Sequence, residues 1–196
     1  MCTPQELSGV LLIIPKRFDD TRGYFMETYS SAEYASLGVA ETFVQDNQSL
    51  SIRLGTVRGL HFQAPPKAQA KLVRVLRGSI FDVAVDLRIG SDTYGRWCSQ
   101  RLTGHGGEQL FIPAGFAHGF CTLEPNTEIL YKVDHCYSPG SESGLRWDDP
   151  DLRIDWPIDK EKAALSERDR KLPLLKTFIS PFRSNEPVAQ ARSSRI

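Results

Sequence analysis

The chain has 196 residues, with 40% hydrophobic and 24% charged side chains, inside the range of globular proteins and enough for one core without staples. Lys plus Arg and Asp plus Glu both number 24, so the net charge is zero. That balance excludes a nucleic-acid polymer as the main ligand, which needs a cationic surplus, but leaves room for a small anion held by a few arginines.

The four cysteines, Cys2, Cys98, Cys121 and Cys136, form no zinc spacing and point to a reducing, cytoplasmic compartment. The N-terminus lacks the basic and apolar regions of a signal peptide, and no run of about 18 apolar residues predicts a membrane span.

Along the chain the pattern is one of short strands. Val10–Ile14 is an apolar run ended by Pro15, and Phe18–Tyr29 is strand-like around a turn at Arg22-Gly23. Ser31–Leu37 predicts a short helix capped by Ser30 or Ser31. From Lys71 to Leu87 side chains alternate on both sides of Gly78, which predicts a hairpin. Gln109–Ile112, Gly119–Leu123 and Glu128–Val133 are further strands, and Gly104–Gly107 is a loop. Asp159–Lys171 is the one stretch rich in helix formers. The expectation is a mainly all-β jelly-roll barrel with a few short, mostly C-terminal helices. Residues 1–180 form its single domain, and 181–196, polar and breaker-rich, form a disordered tail.

Two segments carry the chemistry. Gly55 to Gln63 (G-T-V-R-G-L-H-F-Q), continuing to Lys71 and Gly78, resembles the first cupin motif; Gly107 to His118 (G-E-Q-L-F-I-P-A-G-F-A-H) resembles the second. The first motif departs at two metal-ligand positions, where Gln63 replaces a histidine and Lys71 a glutamate. A protonated lysine repels a divalent ion, so the expected site holds no metal and no cofactor. The ammonium could still stabilise a developing oxyanion.

The runs Arg22–Thr28, Gln45–Ser49, Val57–Gln63, Lys71–Val75, Ile112–Phe120, Tyr131-Lys132 and Trp147–Pro150 stand in the order and spacing of one family. Over residues 5–178 the chain resembles the dTDP-4-dehydrorhamnose 3,5-epimerases. That resemblance implies a dTDP-linked 4-keto-6-deoxy sugar as substrate, inverted at C3 and C5 by proton abstraction beside the C4 ketone and reprotonation from the opposite face. A one-carbon epimerase, a related ketoisomerase or a non-catalytic sugar-binding cupin are the alternatives. The resemblance makes His61 the base, Asp169 its carboxylate partner, Lys71 the oxyanion stabiliser and Tyr131 the acid. It assigns Arg22, Glu27, Gln45, Asp46, Asn47, Arg58, His118, Tyr137, Glu142 and Arg168 to substrate binding. It further implies a homodimer whose N-terminal strands cross to the partner, carrying Arg22 and Glu27 into the neighbouring pocket. His105 and His135 match nothing and are read as surface residues.

Overall fold

The computed structural model describes residues 7–184. Its strands are β1 (Leu11–Ile13), β2 (Arg17–Asp20), β3 (Gly23–Met26), β4 (Gln45–Ser51), β5 (Val57–Gln63), β6 (Lys71–Arg77), β7 (Ser79–Asp86), β8 (Trp97–Thr103), β9 (Gln109–Ile112), β10 (Phe116–Thr122), β11 (Thr127–Val133) and β12 (Glu142–Gly144). Two short α-helices, α1 (Ser31–Ser36) and α2 (Glu167–Arg170), complete the regular α structure among the described residues. None of the described helices is long and apolar enough to cross a membrane.

The strands form two five-stranded antiparallel sheets, ordered β1-β9-β6-β11-β4 and β12-β5-β10-β7-β8, the jelly-roll arrangement expected of a cupin. The main core lies between them, built by inward side chains such as Val73, Val75, Ile80, Leu110, Phe116 and Ile129. A second cluster covers the outer face of the β5 sheet, where Leu60, Phe62, Val83 and Val85 meet Leu145, Leu152 and Phe182. Both faces of β7 are therefore buried, and all of its residues except Phe81 are sealed from solvent.

The hairpin expected about Gly78 does not form. β6 lies in one sheet and β7 in the other. A two-stranded reversal needs about two loop residues, whereas Gly78 alone separates Arg77 from Ser79. With φ of 81° it turns a corner instead, its missing side chain leaving room for Thr127. The chain so passes from one layer to the other, which places Lys71 and Asp82 on facing walls of the interior.

The helix expected over Asp159–Lys171 is also interrupted. Lys160–Lys162 is a single 3-10 turn and α2 only four residues long. Between them the backbone is extended because β5 claims it: Ala164 donates to Gly55 and accepts from Val57, both at 2.9 Å. Tertiary hydrogen bonds here override helix propensity. α1 forms as expected with Ser30 at its N-cap, although the Ser30 side chain makes no capping bond.

The order continues past the expected boundary at residue 180. Phe182 is buried, and Ile89 and Arg183 form a parallel bridge. The rest of the expected tail, 185–196, lies outside the described residues, as does Cys2. Cys98, Cys121 and Cys136 form no disulfide among the described residues.

Candidate active site

A cavity of about 500 Å³ opens between the sheets. β5 delivers Arg58 and His61 to it, β6 Lys71, β10 His118 and β11 Tyr131, while α2 supplies Arg168 and Asp169. His61 and His118 are cross-strand partners, so two imidazoles stand side by side on one wall. Their approach depends on Gly59, whose φ is 122° and whose Cβ, if present, would lie 2.6 Å from Gly119 Cα. Only a glycine fits there.

His61 Nε2 lies 2.7 Å from Asp169 Oδ1. Asp169 is 4% exposed. Burial pushes its carboxyl up, but hydrogen bonds from His61, the Gly59 N–H and Ser166 outweigh that and hold it below the ordinary carboxylate range. A carboxylate so held accepts the proton on His61 Nε2, and the tautomer it favours carries its lone pair on Nδ1. The sequence signal for Asp169 was its chain position alone; α2 is the element that delivers it, with Ser166 accepting from the Asp169 N–H at 3.0 Å as the N-cap.

Lys71 is 9% exposed, and its Nζ donates to the His61 carbonyl at 3.3 Å. Burial depresses its pKa to about 8, against the opposing pull of Asp82 and Glu142. Tyr131 shares inward parity with the buried Ile129 and Val133, and burial together with the Glu142 charge raises its phenol above the usual value. Arg58 reaches across to Ser51 Oγ and the Leu50 carbonyl, both at 3.2 Å, which pins its guanidinium at the rim.

His118 Nε2 meets Asp82 Oδ1 at 2.6 Å. Burial drives the His118 pKa down, helped by the Lys71 and His61 charges, while Asp82 pulls it up. Asp82 is fully buried and its second oxygen has no partner. Sequence reasoning missed this residue. Its only mark was an aspartate in register with inward positions of an apolar strand, which reads identically if that face is wet.

A smaller space of about 110 Å³ shares His61, Lys71 and Tyr131 with the main cavity and adds Gln45, Asn47, Gln63, Tyr137 and Glu142. At its edge Glu142 accepts from the Tyr137 hydroxyl at 2.5 Å and pairs with Arg168 at 2.6 Å. Gln45 accepts from the Tyr137 N–H at 3.0 Å and donates to Asn47 at 2.8 Å. Gln63 is spent on backbone: it donates to the Lys67 carbonyl and accepts from the Ser138 N–H, each at 2.7 Å. Among the described residues no three His, Cys, Asp or Glu side chains group closely enough to hold a metal ion.

Three expected binding residues do not reach this cavity within the chain. Asp46 alternates with Gln45 and Asn47 on β4, so it faces the opposite side, where it pairs with Lys132 at 3.0 Å. Arg22 and Glu27 are exposed around the β2–β3 hairpin, and Arg22 pairs with Asp20 at 2.7 Å.

Residues 4–177 match the family model described as dTDP-4-dehydrorhamnose 3,5-epimerase. A dTDP-4-dehydrorhamnose 3,5-epimerase of Sinorhizobium fredii is 51% identical over 170 residues, 87% of each chain. The crystal structure of the Bacillus anthracis enzyme, with TDP and PPi bound, superposes with a TM-score of 0.84 at 49% identity, covering 86% of this chain and 95% of that one. The Legionella pneumophila dTDP-6-deoxy-D-glucose-3,5-epimerase, in complex with dTDP-4-keto-L-rhamnose, gives 0.85 at 40% identity, covering 91% and 94%. These matches define an isomerase built on a cupin jelly roll. The chain belongs to the dTDP-4-dehydrorhamnose 3,5-epimerase family.

Proposed function

We propose that this cavity inverts C3 and C5 of a dTDP-linked 4-keto-6-deoxyhexose, taking dTDP-4-dehydro-6-deoxyglucose to dTDP-4-dehydrorhamnose. The observation that carries the residue assignment is the convergence of His61, Lys71 and Tyr131 on one cavity with Asp169 behind His61. Hydrogens on C3 and C5 are acidic because each carbon adjoins the C4 ketone. His61 Nδ1 takes the proton, and the electron pair delocalises onto O4 as an enolate. Asp169 stabilises the imidazolium that forms. The buried Lys71 ammonium faces the developing O4 charge, where low local polarity strengthens the attraction. The Tyr131 phenol, kept protonated by its raised pKa, returns a proton from the opposite face and inverts the carbon. His118, Gln45 and Asn47, with the Tyr137–Glu142–Arg168 group, hold the remainder of the substrate, and Arg58 supplies a forked cation for phosphate oxygens.

The functional unit is a homodimer. The β2–β3 hairpin forms a sheet of its own, with Phe18, Tyr24 and Phe25 exposed by 51%, 54% and 69%. Such an apolar surface fits burial against a second copy, and it would carry Arg22 and Glu27 to the partner's cavity.

Incubation with the 4-keto-6-deoxyglucose nucleotide in heavy water tests the reaction. Deuterium at both C3 and C5, with product of the rhamno configuration, is the expected result. Label at one carbon reduces the activity to mono-epimerisation, and no label refutes it. Sedimentation as a fully active monomer would refute the dimer.

A further inference from the structure

The family match stops at residue 177, yet the ordered chain runs on across the outer face of the β5 sheet. Phe178 and Phe182 set their rings edge-on against Phe62, with centroids 5.6 and 5.3 Å away. Phe62 follows His61 on β5, so its ring points to the back of the sheet while His61 faces the cavity. The strap is clamped by backbone as well. The Ile89 N–H donates to the Phe182 carbonyl at 3.0 Å, the Ser184 N–H donates to the Ile89 carbonyl at 2.9 Å, and the Ser180 hydroxyl bonds the Leu87 carbonyl.

The same stretch of chain carries Asp169. Between α2 and the strap it is tied down twice: the Arg146 N–H donates to the Pro173 carbonyl at 2.9 Å, and the Leu175 N–H donates to Asp149 at 2.6 Å. Both members of the 2.7 Å His61–Asp169 pair are therefore secured from behind by one continuous segment: Asp169 through its own chain, His61 through Phe62.

We infer that Phe178 and Phe182 are positioning residues that set the His61–Asp169 geometry, so that the C-terminal strap is part of the catalytic support rather than a passive end. This rests on the proposed roles of His61 and Asp169. Neither phenylalanine touches the cavity; each acts through Phe62.

The test uses full-length Phe182→Ala and the milder Phe182→Leu, which keeps apolar bulk if the alanine variant fails to fold. Small misplacements of a catalytic group cost up to about a hundredfold. Phe182→Ala should lower kcat by about tenfold or more, with KM changed less than about twofold, and Phe182→Leu should lower it in the same direction by less. The downfield imidazole proton resonance of the His61–Asp169 pair, identified by its absence in His61→Asn, should weaken or broaden in both. Val39→Ala, which removes buried apolar surface beneath α1, should lower Tm but leave kcat and the resonance unchanged. If Phe182→Ala and Phe182→Leu lower Tm while kcat and the resonance stay as in the unaltered chain, the strap is structural only and the inference falls. If the unaltered chain itself gives no turnover, the proposed reaction falls first.

Discussion

Replacing Lys71 with methionine should stabilise the protein while stopping its chemistry. In the folded chain the ammonium is 9% exposed, and burial brings its pKa from the ordinary 10.5 to about 8. At about 1.4 kcal/mol per pH unit, holding that charge at pH 7 costs roughly 3 kcal/mol. Methionine has similar length and no charge, so the cost disappears. The bond from Nζ to the His61 carbonyl is also lost, worth about 1 kcal/mol. The net expectation at pH 7 is a variant about 2 kcal/mol more stable. Because the folded pKa lies below the unfolded one, the unfolded chain binds more protons between about pH 8 and 10.5. Stability of the unaltered protein must then rise with pH across that window. The advantage of the variant should shrink over the same window, and above it, where only the lost hydrogen bond remains, the variant should be about 1 kcal/mol less stable than the parent. Urea denaturation at pH 7, 9 and 10.5 measures both. Turnover of the variant should fall about 10²–10³-fold, the usual loss when one group stabilising an oxyanion is removed. A variant less stable than the parent at pH 7 would refute the burial cost, and undiminished turnover would refute the enolate role.

Tyr131→Phe should keep exchange of the C3 and C5 hydrogens with solvent, because His61 can return the proton it took, but should lose inversion by about 10²-fold or more; NMR in heavy water separates the two, and unchanged inversion removes Tyr131 as the acid. Asp169→Asn should cut kcat by at least about 10²-fold, since the amide no longer fixes the Nε2-protonated tautomer, and dTDP affinity measured by calorimetry should hold. Arg22→Ala and His61→Ala should each be inactive. Refolded together, they should recover about a quarter of the sites if Arg22 serves the partner's cavity, because half the dimers are mixed and each mixed dimer has one intact site; no recovery would confine Arg22 to its own subunit.

The strands were legible because alternation and turn residues survive any packing. The motif histidines were legible because a fixed spacing from a glycine places them at defined strand positions. Thus His61, Lys71, His118 and Tyr131 could be named and meet in one cavity. Pairing was less legible. The alternation about Gly78 fixes two strands but not which sheet each joins, and a one-residue corner decided that. Composition over Asp159–Lys171 favoured helix, but Gly55 and Val57 took its middle as an extended bridge.

The sequence by itself determined the strand content, the family and the inventory of reactive groups, since these depend on local periodicity and on residue type at fixed spacing. Only the tertiary structure decided which way those groups face and what stands behind them. Asp46 turns away from Gln45 and Asn47 by strand alternation. Asp82 becomes a buried partner of His118 because β7 and β10 lie side by side. Residues 178–184 become a support for the His61 strand because Phe62 offers its ring on the far side. Contacts between residues far apart in the chain, such as Asp82 with His118 or Phe62 with Phe182, arise from sheet order and register, and no local pattern encodes those.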